Sequence, residues 1–219
     1  ILSKIENNKT AKNYMENKFK NISEPSIKVL FDLANIYKSL KEYRKSIEFY
    51  SSVLNQLNNN SLTRVNVHYR RGGSYERIKD FENADNDFLA ALKINPEAPH
   101  VLNYLAYSWL ERGFKINQAM EMLKTAYKLR QDDPYIIDSI GWAYYLQGEF
   151  ENAEKLILQA VILMPEDPIV NDHYGDILWK LNRKIQARYF WKNVLKLEDT
   201  SEEMKIKISK KIFDGLIDI

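Results

Sequence analysis

The sequence contains no cysteine, which excludes disulfide bonds, thiolate metal sites and cysteine nucleophiles but fits either a reducing or an oxidising compartment. It has no run of about 18 uninterrupted apolar residues, the length that crosses a membrane as a helix. No charge dominates either, because 32 basic and 30 acidic side chains leave a formal net charge of +2. That balance is atypical of a dedicated nucleic-acid surface. With 45% apolar and 28% charged residues, the 219-residue chain has the composition of a folded globular protein.

Signatures of common catalytic sites are also missing. There is no glycine-rich phosphate loop, no His-Glu-x-x-His segment and no nucleophile elbow. The histidines His68, His100 and His173 share no metal-ligand spacing. Only His173, with Asp172 and Asp176 on the same helix, forms a cluster; a general-base or metal role is the minor alternative, and hydrogen bonding at a groove edge is preferred. We therefore predict a protein that is not an enzyme and has no cofactor or metal site.

Glycine and proline are scarce, with 7 and 6 copies, yet most of them recur at a fixed spacing. When a 34-residue unit is numbered along the chain, five of the seven glycines fall at position 8 or 15, and five of the six prolines fall at position 1 or 32. Glycine suits a close approach of two helices and a turn between them, and proline suits the end of one helix and the start of the next. The residues that define this register are Gly72, Gly141 and Gly175 at position 8, Gly113 and Gly148 at position 15, Pro99, Pro134 and Pro168 at position 1, and Pro96 and Pro165 at position 32.

The register predicts five repeats, a truncated half-repeat before them and a capping helix after them. A linker at residues 61–64 and one extra residue near 114–117 are the adjustments that it needs. Ala11 and Met15 fall in core columns of the half-repeat, and residues 1–9 are expected to be frayed. The predicted bounds are 1–26 for the half-repeat, 27–60, 65–98, 99–133, 134–167 and 168–201 for repeats 1 to 5, and 202–219 for the capping helix.

Further positions of the unit fit one repeat family. The fourth unit carries Gly141, Tyr144, Ala153, Ile157, Ala160 and Pro165 at positions 8, 11, 20, 24, 27 and 32. This pattern resembles the tetratricopeptide repeat, and the resemblance covers roughly residues 27–201. It implies an all-α fold, a right-handed α-solenoid of about five helix-turn-helix repeats with a C-terminal capping helix. The chain is also similar to bacterial tetratricopeptide proteins of alphaproteobacterial type, through Asn103-Tyr104-Leu105, Tyr135 to Trp142, Asn171-Asp172-His173 and Gly175-Asp176.

Neither helix of such a repeat buries its apolar face alone, so neighbouring repeats are expected to share one core. Trp109 and Trp191 fall in core columns of the register. His68 and Arg71 replace apolar residues in the second repeat, which predicts looser packing there. The capping helix is amphipathic. Its predicted core-facing residues are Met204, Ile208, Ile212 and Leu216, with Ile206 and Phe213 as further candidates.

The resemblance places positions 2, 5, 9, 12 and 13 of each first helix toward a concave groove, and the helical period puts the first four of them on one stripe. In repeats 3 to 5 the stripe interleaves aromatic rings with amides and carboxylates, which suits a peptide. Trp142 and Trp179 are expected to face away from the core; the alternative is packing against each other or a neighbouring repeat. The predicted peptide-binding residues are Asn103, Tyr107, Asp138, Trp142, Tyr145, Asp172, Asp176 and Trp179.

Charge refines the expected partner. Residues 1–98 carry a formal charge of +4 and residues 99–219 carry −2, so the aromatic part of the groove is also its acidic part. We predict a non-catalytic protein–protein interaction scaffold that binds a neutral or basic segment of another protein, with no nucleic-acid partner. The alternatives are a self-assembling module whose ends mediate homo-oligomerisation and, opposed by the acidic groove, an RNA-binding helical repeat.

The sequence leaves the compartment open between the cytoplasm and a bacterial periplasm or envelope, and it predicts no transmembrane segment. The chain begins at Ile1 and not at Met, so we expect a truncated N-terminus.

Overall fold

A computed structural model describes residues 8–19, 24–58 and 61–216 of the chain. The predicted frayed segment 1–9 and the core contacts predicted for Ala11 and Met15 lie outside the residues whose side chains are described. All regular elements in the described ranges are α-helices. They are α1 (Asn8–Phe19), α2 (Ile27–Ser39), α3 (Tyr43–Gln56), α4 (Thr63–Arg77), α5 (Phe81–Ile94), α6 (Pro99–Glu111), α7 (Ile116–Leu129), α8 (Pro134–Leu146), α9 (Phe150–Leu163), α10 (Pro168–Lys180), α11 (Lys184–Val194) and α12 (Glu202–Asp214).

The turns between paired helices share one backbone feature. A residue with positive φ follows α2, α4, α6, α8 and α10, at position 15 of each numbered unit. Two of these residues are glycines, and the other three adopt the left-handed region at a steric cost. Their φ angles are 61° at Lys41, 63° at Lys79, 63° at Gly113, 80° at Gly148 and 61° at Asn182.

Paired helices approach each other closely at the position-8 glycines, as predicted. A Cβ atom built on Gly175 would lie 2.4 Å from Trp191 Nε1, and one built on Gly141 would lie 2.7 Å from Ile157 Cδ1. Any larger side chain would therefore separate the two helices of the repeat. The start of α8 and of α10 is fixed by proline in the first turn and by an aspartate cap, Asp133 and Asp167, whose side chains accept hydrogen bonds from backbone N–H groups.

The chain divides into two compact units, Ile1–Val101 (unit 1) and Leu102–Ile219 (unit 2). Unit 1 packs α1 on α2, α2 on α3, α3 on α4 and α4 on α5. Its buried apolar cluster joins α2, α3 and α4, and the members are Leu30, Ala34, Tyr50, Val53, Leu54 and Val67.

The sequence predicts looser packing at His68 and Arg71, and this prediction is wrong. Both side chains bind the buried carboxylate of Asp87 on α5: His68 Nδ1 lies 2.7 Å from Oδ1, and Arg71 donates to both oxygens at 2.7 Å. Arg71 also donates to Ser51 Oγ at 2.8 Å. An ion-paired network therefore replaces the apolar contacts that the repeat pattern provides elsewhere.

Unit 2 packs α7 on α8, α8 on α9, α9 on α10, α10 on α11 and α11 on α12, with further contact between α8 and α10. Trp109 and Trp191 are buried, which confirms the core positions predicted for them. Helix α12 closes this unit. Its residues Met204, Ile208, Ile212 and, just beyond the helix, Leu216 pack against the core, as predicted.

Ile206 and Phe213 do not join that core. They are 63% and 87% exposed, so their candidate capping role is wrong. On a helix with 3.6 residues per turn, the core stripe through Met204, Ile208 and Ile212 leaves these two residues on other faces. The bounds of the five repeats themselves stay a prediction from the sequence.

Candidate functional site

The candidate site lies in unit 2, where α6, α8, α10 and the start of α12 surround a cleft of about 650 Å³. Helices α6, α8 and α10 each contribute one face of polar and aromatic side chains, and α12 contributes its first two turns. The lining residues are Tyr107, Glu111, Trp142, Ile169, Asp172, His173, Ser201, Glu203, Met204 and Lys207.

A stack of three rings forms one wall of the cleft. The indole of Trp142 lies between the ring of Tyr145, with centroids 4.5 Å apart, and the imidazole of His173, with centroids 4.0 Å apart, and both neighbours are nearly parallel to it. Trp142 Nε1 donates a hydrogen bond to Glu111 Oε1 at 3.2 Å. Both faces of the indole are therefore covered, and Trp142 presents an edge, not a face, to a ligand.

His173 is held in place by a buried carboxylate from the preceding repeat. Its Nδ1 lies 2.9 Å from Asp138 Oδ1, and both side chains are more than nine-tenths buried. Burial alone would lower the pKa of His173, but the charge and hydrogen bond of Asp138, with the charges of Asp172 and Asp176, outweigh burial and raise it. The environment therefore favours an imidazolium cation stacked on the Trp142 ring.

Asp172 and Asp176 lie one turn apart on α10, and a lysine of the capping helix joins them. Lys211 Nζ lies 2.5 Å from Asp172 Oδ1 and 2.7 Å from each oxygen of Asp176. Trp191 Nε1 donates to Asp176 Oδ1 at 3.0 Å. Burial first, and then the charge of Asp172, raise the pKa of Asp176, although Lys211 opposes the shift. These two carboxylates thus dock α12 on α10.

The charge of the cleft is negative on balance. Glu111, Asp172 and Glu203 line it, with Asp138 and Asp176 buried beside it, and these five carboxylates outnumber the cations Lys207, Lys211 and His173. Burial raises the pKa of the Tyr107 hydroxyl, and the charges of Glu111, Asp138, Asp167 and Asp172 raise it further. The carboxylates that disfavour the ionised form of Tyr107 also favour a cation bound next to its hydroxyl.

The eight residues predicted from the sequence divide into groups. Tyr107, Trp142 and Asp172 line the cleft, whereas Asp138 and Asp176 are buried in ion pairs beside it and Tyr145 backs the Trp142 ring. Asn103 lies one helical turn before Tyr107. Its Oδ1 is buried and accepts no hydrogen bond from the part of the chain that is described.

Trp179 is the eighth residue, and the expectation that it faces away from the core is wrong. It packs against the buried cluster of α10 and α11, with its ring 5.4 Å from that of Trp191. Gly215 covers the ring, because a Cβ there would lie 2.1 Å from Trp179 Cζ2, and the Arg188 guanidinium lies 4.8 Å from the ring centroid. The return of the chain after α12 thus encloses this side chain.

Sequence reasoning missed Glu111 and the residues of α12. Glu111 occupies position 13 of the third repeat, so the register itself contained the signal that could have found it. The contribution of Ser201, Glu203, Met204 and Lys207 depends on how α12 docks, and no repeat position was assigned to that helix.

The described ranges contain no group of three or more histidine or acidic side chains placed to hold a metal ion. In the same ranges, no helix has the length and apolar character needed to cross a bilayer.

Comparison with known proteins defines the class. The tetratricopeptide repeat family model matches residues 27–55 and 65–97. Together with the repeated helical hairpins, this match confirms that the chain contains tetratricopeptide repeats and has the all-α fold predicted for it. Repeats of this class serve in general as scaffolds for protein–protein interaction.

A TPR repeat-containing protein from Pseudomonas aeruginosa is 31% identical over 112 residues, which cover 51% of this chain and 19% of that protein. The match therefore spans about a fifth of the curated relative. Among solved structures, a thermophilic TPR protein from Thermus thermophilus has a TM-score of 0.69 at 16% identity, covering 84% of this chain and 98% of that chain. A chain of the APC/C hetero-tetramer Cut9-Hcn1 has a TM-score of 0.77 at 14% identity, covering 96% of this chain and 40% of that chain.

Proposed function

We propose that the chain is a non-catalytic interaction module and that the cleft of unit 2 binds a neutral or basic segment of a partner protein. The observation that carries this proposal is the cleft of about 650 Å³ lined by Glu111, Asp172 and Glu203 beside aromatic rings. Carboxylates at a water-accessible rim attract a lysine or arginine side chain and speed its association.

The cleft also offers apolar contacts. Ile169 and Met204 belong to its lining, and the rings of Tyr107 and Trp142 add further apolar surface next to the carboxylates. A peptide that alternates apolar and basic side chains matches this surface.

Lys211 already pairs with Asp172 and Asp176, so neither carboxylate is free to bind a basic side chain of the partner. A basic side chain of the partner meets Glu111 and Glu203 first, because these two carboxylates are exposed whereas both aspartates are buried under α12. Glu111 is therefore the residue to change, since Asp176→Lys would place a second cation against Lys211 and disturb the fold.

The test is selection from a library of immobilised peptides that differ in net charge and apolar content. We expect the wild-type chain to retain peptides enriched in lysine and arginine next to an apolar residue, and we expect Glu111→Lys to lose at least about tenfold in affinity for them, because it reverses charge in the cleft.

Glu198→Lys is the matched control, because Glu198 is exposed outside the cleft and its substitution changes net charge equally. Circular dichroism should show both variants folded. Equal retention of the selected peptides by the two variants, or no charge preference in the wild-type selection, would contradict the proposal.

A further inference from the structure

Unit 2 contains a second cleft, of about 510 Å³, between α7, α8 and α9. We call it the lysine cleft. Ile140 and Leu156 are the aliphatic residues of its lining, and Lys124, Lys128 and Lys155 are the basic ones. The full lining is Lys124, Tyr127, Lys128, Gln131, Ile140, Tyr144, Asn152, Lys155 and Leu156.

The lysine cleft is separate from the cleft of the candidate site, which we call the acidic cleft. The two share no lining residue. Helix α8 contributes Trp142 to the acidic cleft and Ile140 and Tyr144 to the lysine cleft. At about 100° per residue, Ile140 and Tyr144 point roughly 200° away from Trp142 around the helix axis. One helix thus presents different sides to two clefts of unlike charge.

The lysine cleft has hydrogen-bond donors without acceptors. Lys124 pairs with Glu121 at 2.9 Å, and Asn152 donates to Glu149 at 2.7 Å, so these two groups are satisfied. Lys128 and Lys155 have no ion pair with any described residue, and the Tyr127 and Tyr144 hydroxyls have no hydrogen bond to one.

We propose that the lysine cleft is a second docking site and that its occupant is an acidic segment of a partner protein, in which an apolar side chain lies between carboxylates. The apolar side chain would cover Ile140 and Leu156. The flanking carboxylates would accept from the Lys128 and Lys155 ammonium groups and the two tyrosine hydroxyls. Charge complementarity selects this occupant, since a basic segment would bring cations against the unpaired lysines. The chain then holds two partner segments of opposite charge on different sides of α8.

The probe is a short fluorescein-labelled peptide in which a Leu-Phe pair is flanked on both sides by glutamates. We expect the wild-type chain to bind it, and we expect Lys128→Glu combined with Lys155→Glu to weaken binding by at least about tenfold. Replacing the glutamates by glutamines, or Leu-Phe by Ser-Ser, should weaken binding as well, because the site requires both charge and apolar contact.

The matched control combines Lys192→Glu with Lys196→Glu, which makes the same charge change at exposed positions outside the cleft. All four lysines lie at the surface, so both double variants should stay folded. Equal weakening by the two variants, unchanged binding of the Ser-Ser peptide, or no wild-type binding at millimolar concentration would each overturn the proposal.

Discussion

Each unit contains a buried histidine paired with an aspartate, but the two pairs connect different parts of the repeat. In unit 1, His68 of α4 binds Asp87 of α5 at 2.7 Å, within one helical hairpin. In unit 2, His173 of α10 binds Asp138 of α8 at 2.9 Å, between the first helices of successive hairpins. The first pair stabilises a repeat, whereas the second joins repeats at the wall of a cleft.

The two networks also differ in charge. In unit 1, the single carboxylate of Asp87 serves two basic partners, His68 and Arg71, and is closed off from solvent. In unit 2, the network includes three aspartates, and one of them, Asp172, reaches the cleft. An ion network that is complete within the fold contributes to stability only. A network with excess carboxylate, next to an open cleft that also carries the exposed Glu111, can attract a cationic partner as well.

The largest expected effect tests the closed network of unit 1. Asp87→Ala leaves His68 and Arg71 buried or half-buried without their carboxylate, so the free energy of unfolding should fall by about 4 kcal/mol. Chemical denaturation measures the loss, and amide hydrogen exchange should locate it in α4 and α5. Asn86→Ala, at a more exposed position on the same helix, is the control and should change stability by less than about 0.5 kcal/mol. A loss as small as that for Asp87→Ala would contradict the account of unit 1.

The next effect tests the carboxylates of unit 2. Lys211→Met removes the cation between Asp172 and Asp176 and should lower the free energy of unfolding by about 3 kcal/mol at pH 7. Burial already raises the pKa of Asp176 to about 6. Without Lys211 that pKa rises further, so protonation at pH 5 should relieve much of the loss. The stability deficit therefore grows with pH.

Lys210→Met is the neighbouring control for this change, because Lys210 is exposed and has no ion pair with a described residue. It should leave stability nearly unchanged at both pH values. A Lys211→Met deficit that is the same at pH 5 and pH 7 would show that the two aspartates do not carry uncompensated charge.

The helical repeats could be predicted from the sequence because they depend on single positions repeated many times. The glycines at position 8 report a close helix approach, and Gly175 against Trp191 confirms it. The same register predicts the burial of Trp109 and Trp191, which the structure confirms. Each of these features requires only the period of the helix and the size of one side chain.

The candidate site could be predicted only in part, because its geometry depends on pairs of residues far apart in the chain. The Lys211 contact with Asp172 and Asp176 spans more than one repeat and involves a helix outside the numbered units. The stacking of His173 on Trp142 likewise depends on how successive hairpins pack. A stripe along one helix identifies which side chains share a face, but not which of them the next helix covers.

A third prediction concerns the pH dependence of the inter-repeat pair. The pKa of His173 is raised in the folded state, so its stabilising contribution is fully present below the unfolded value of about 6.5 and is lost as pH rises through the folded pKa. The difference in unfolding free energy between the wild type and His173→Gln should therefore shrink from pH 6 toward high pH.

The imidazole signals in an NMR titration provide the direct measurement. The spectrum of His173→Gln assigns the His173 resonance, whose midpoint should lie above about 6.5. A midpoint below that value would mean that burial lowers the pKa of His173 by more than Asp138 raises it. The two histidine–aspartate pairs would then differ in the helices that they join, and not in a raised pKa of His173.

The smallest expected effect tests whether charge at the open cleft acts on binding without acting on stability. Glu111→Gln keeps an oxygen that accepts from Trp142 Nε1 but removes the negative charge, so the ring stack should persist. For basic peptides selected by the wild type, affinity should fall about threefold at low salt, and the difference should fade near ~1 M salt because exposed charges are then screened. Titration calorimetry at two salt concentrations measures this, with Glu198→Gln as the control.

Because Glu111 is exposed, the unfolding free energy should be unchanged by Glu111→Gln, unlike after the loss of Asp87. A salt-independent loss, or an equal loss in the control, would mean that the carboxylate acts through packing and that unit 2 differs from unit 1 only in the arrangement of its ion pairs.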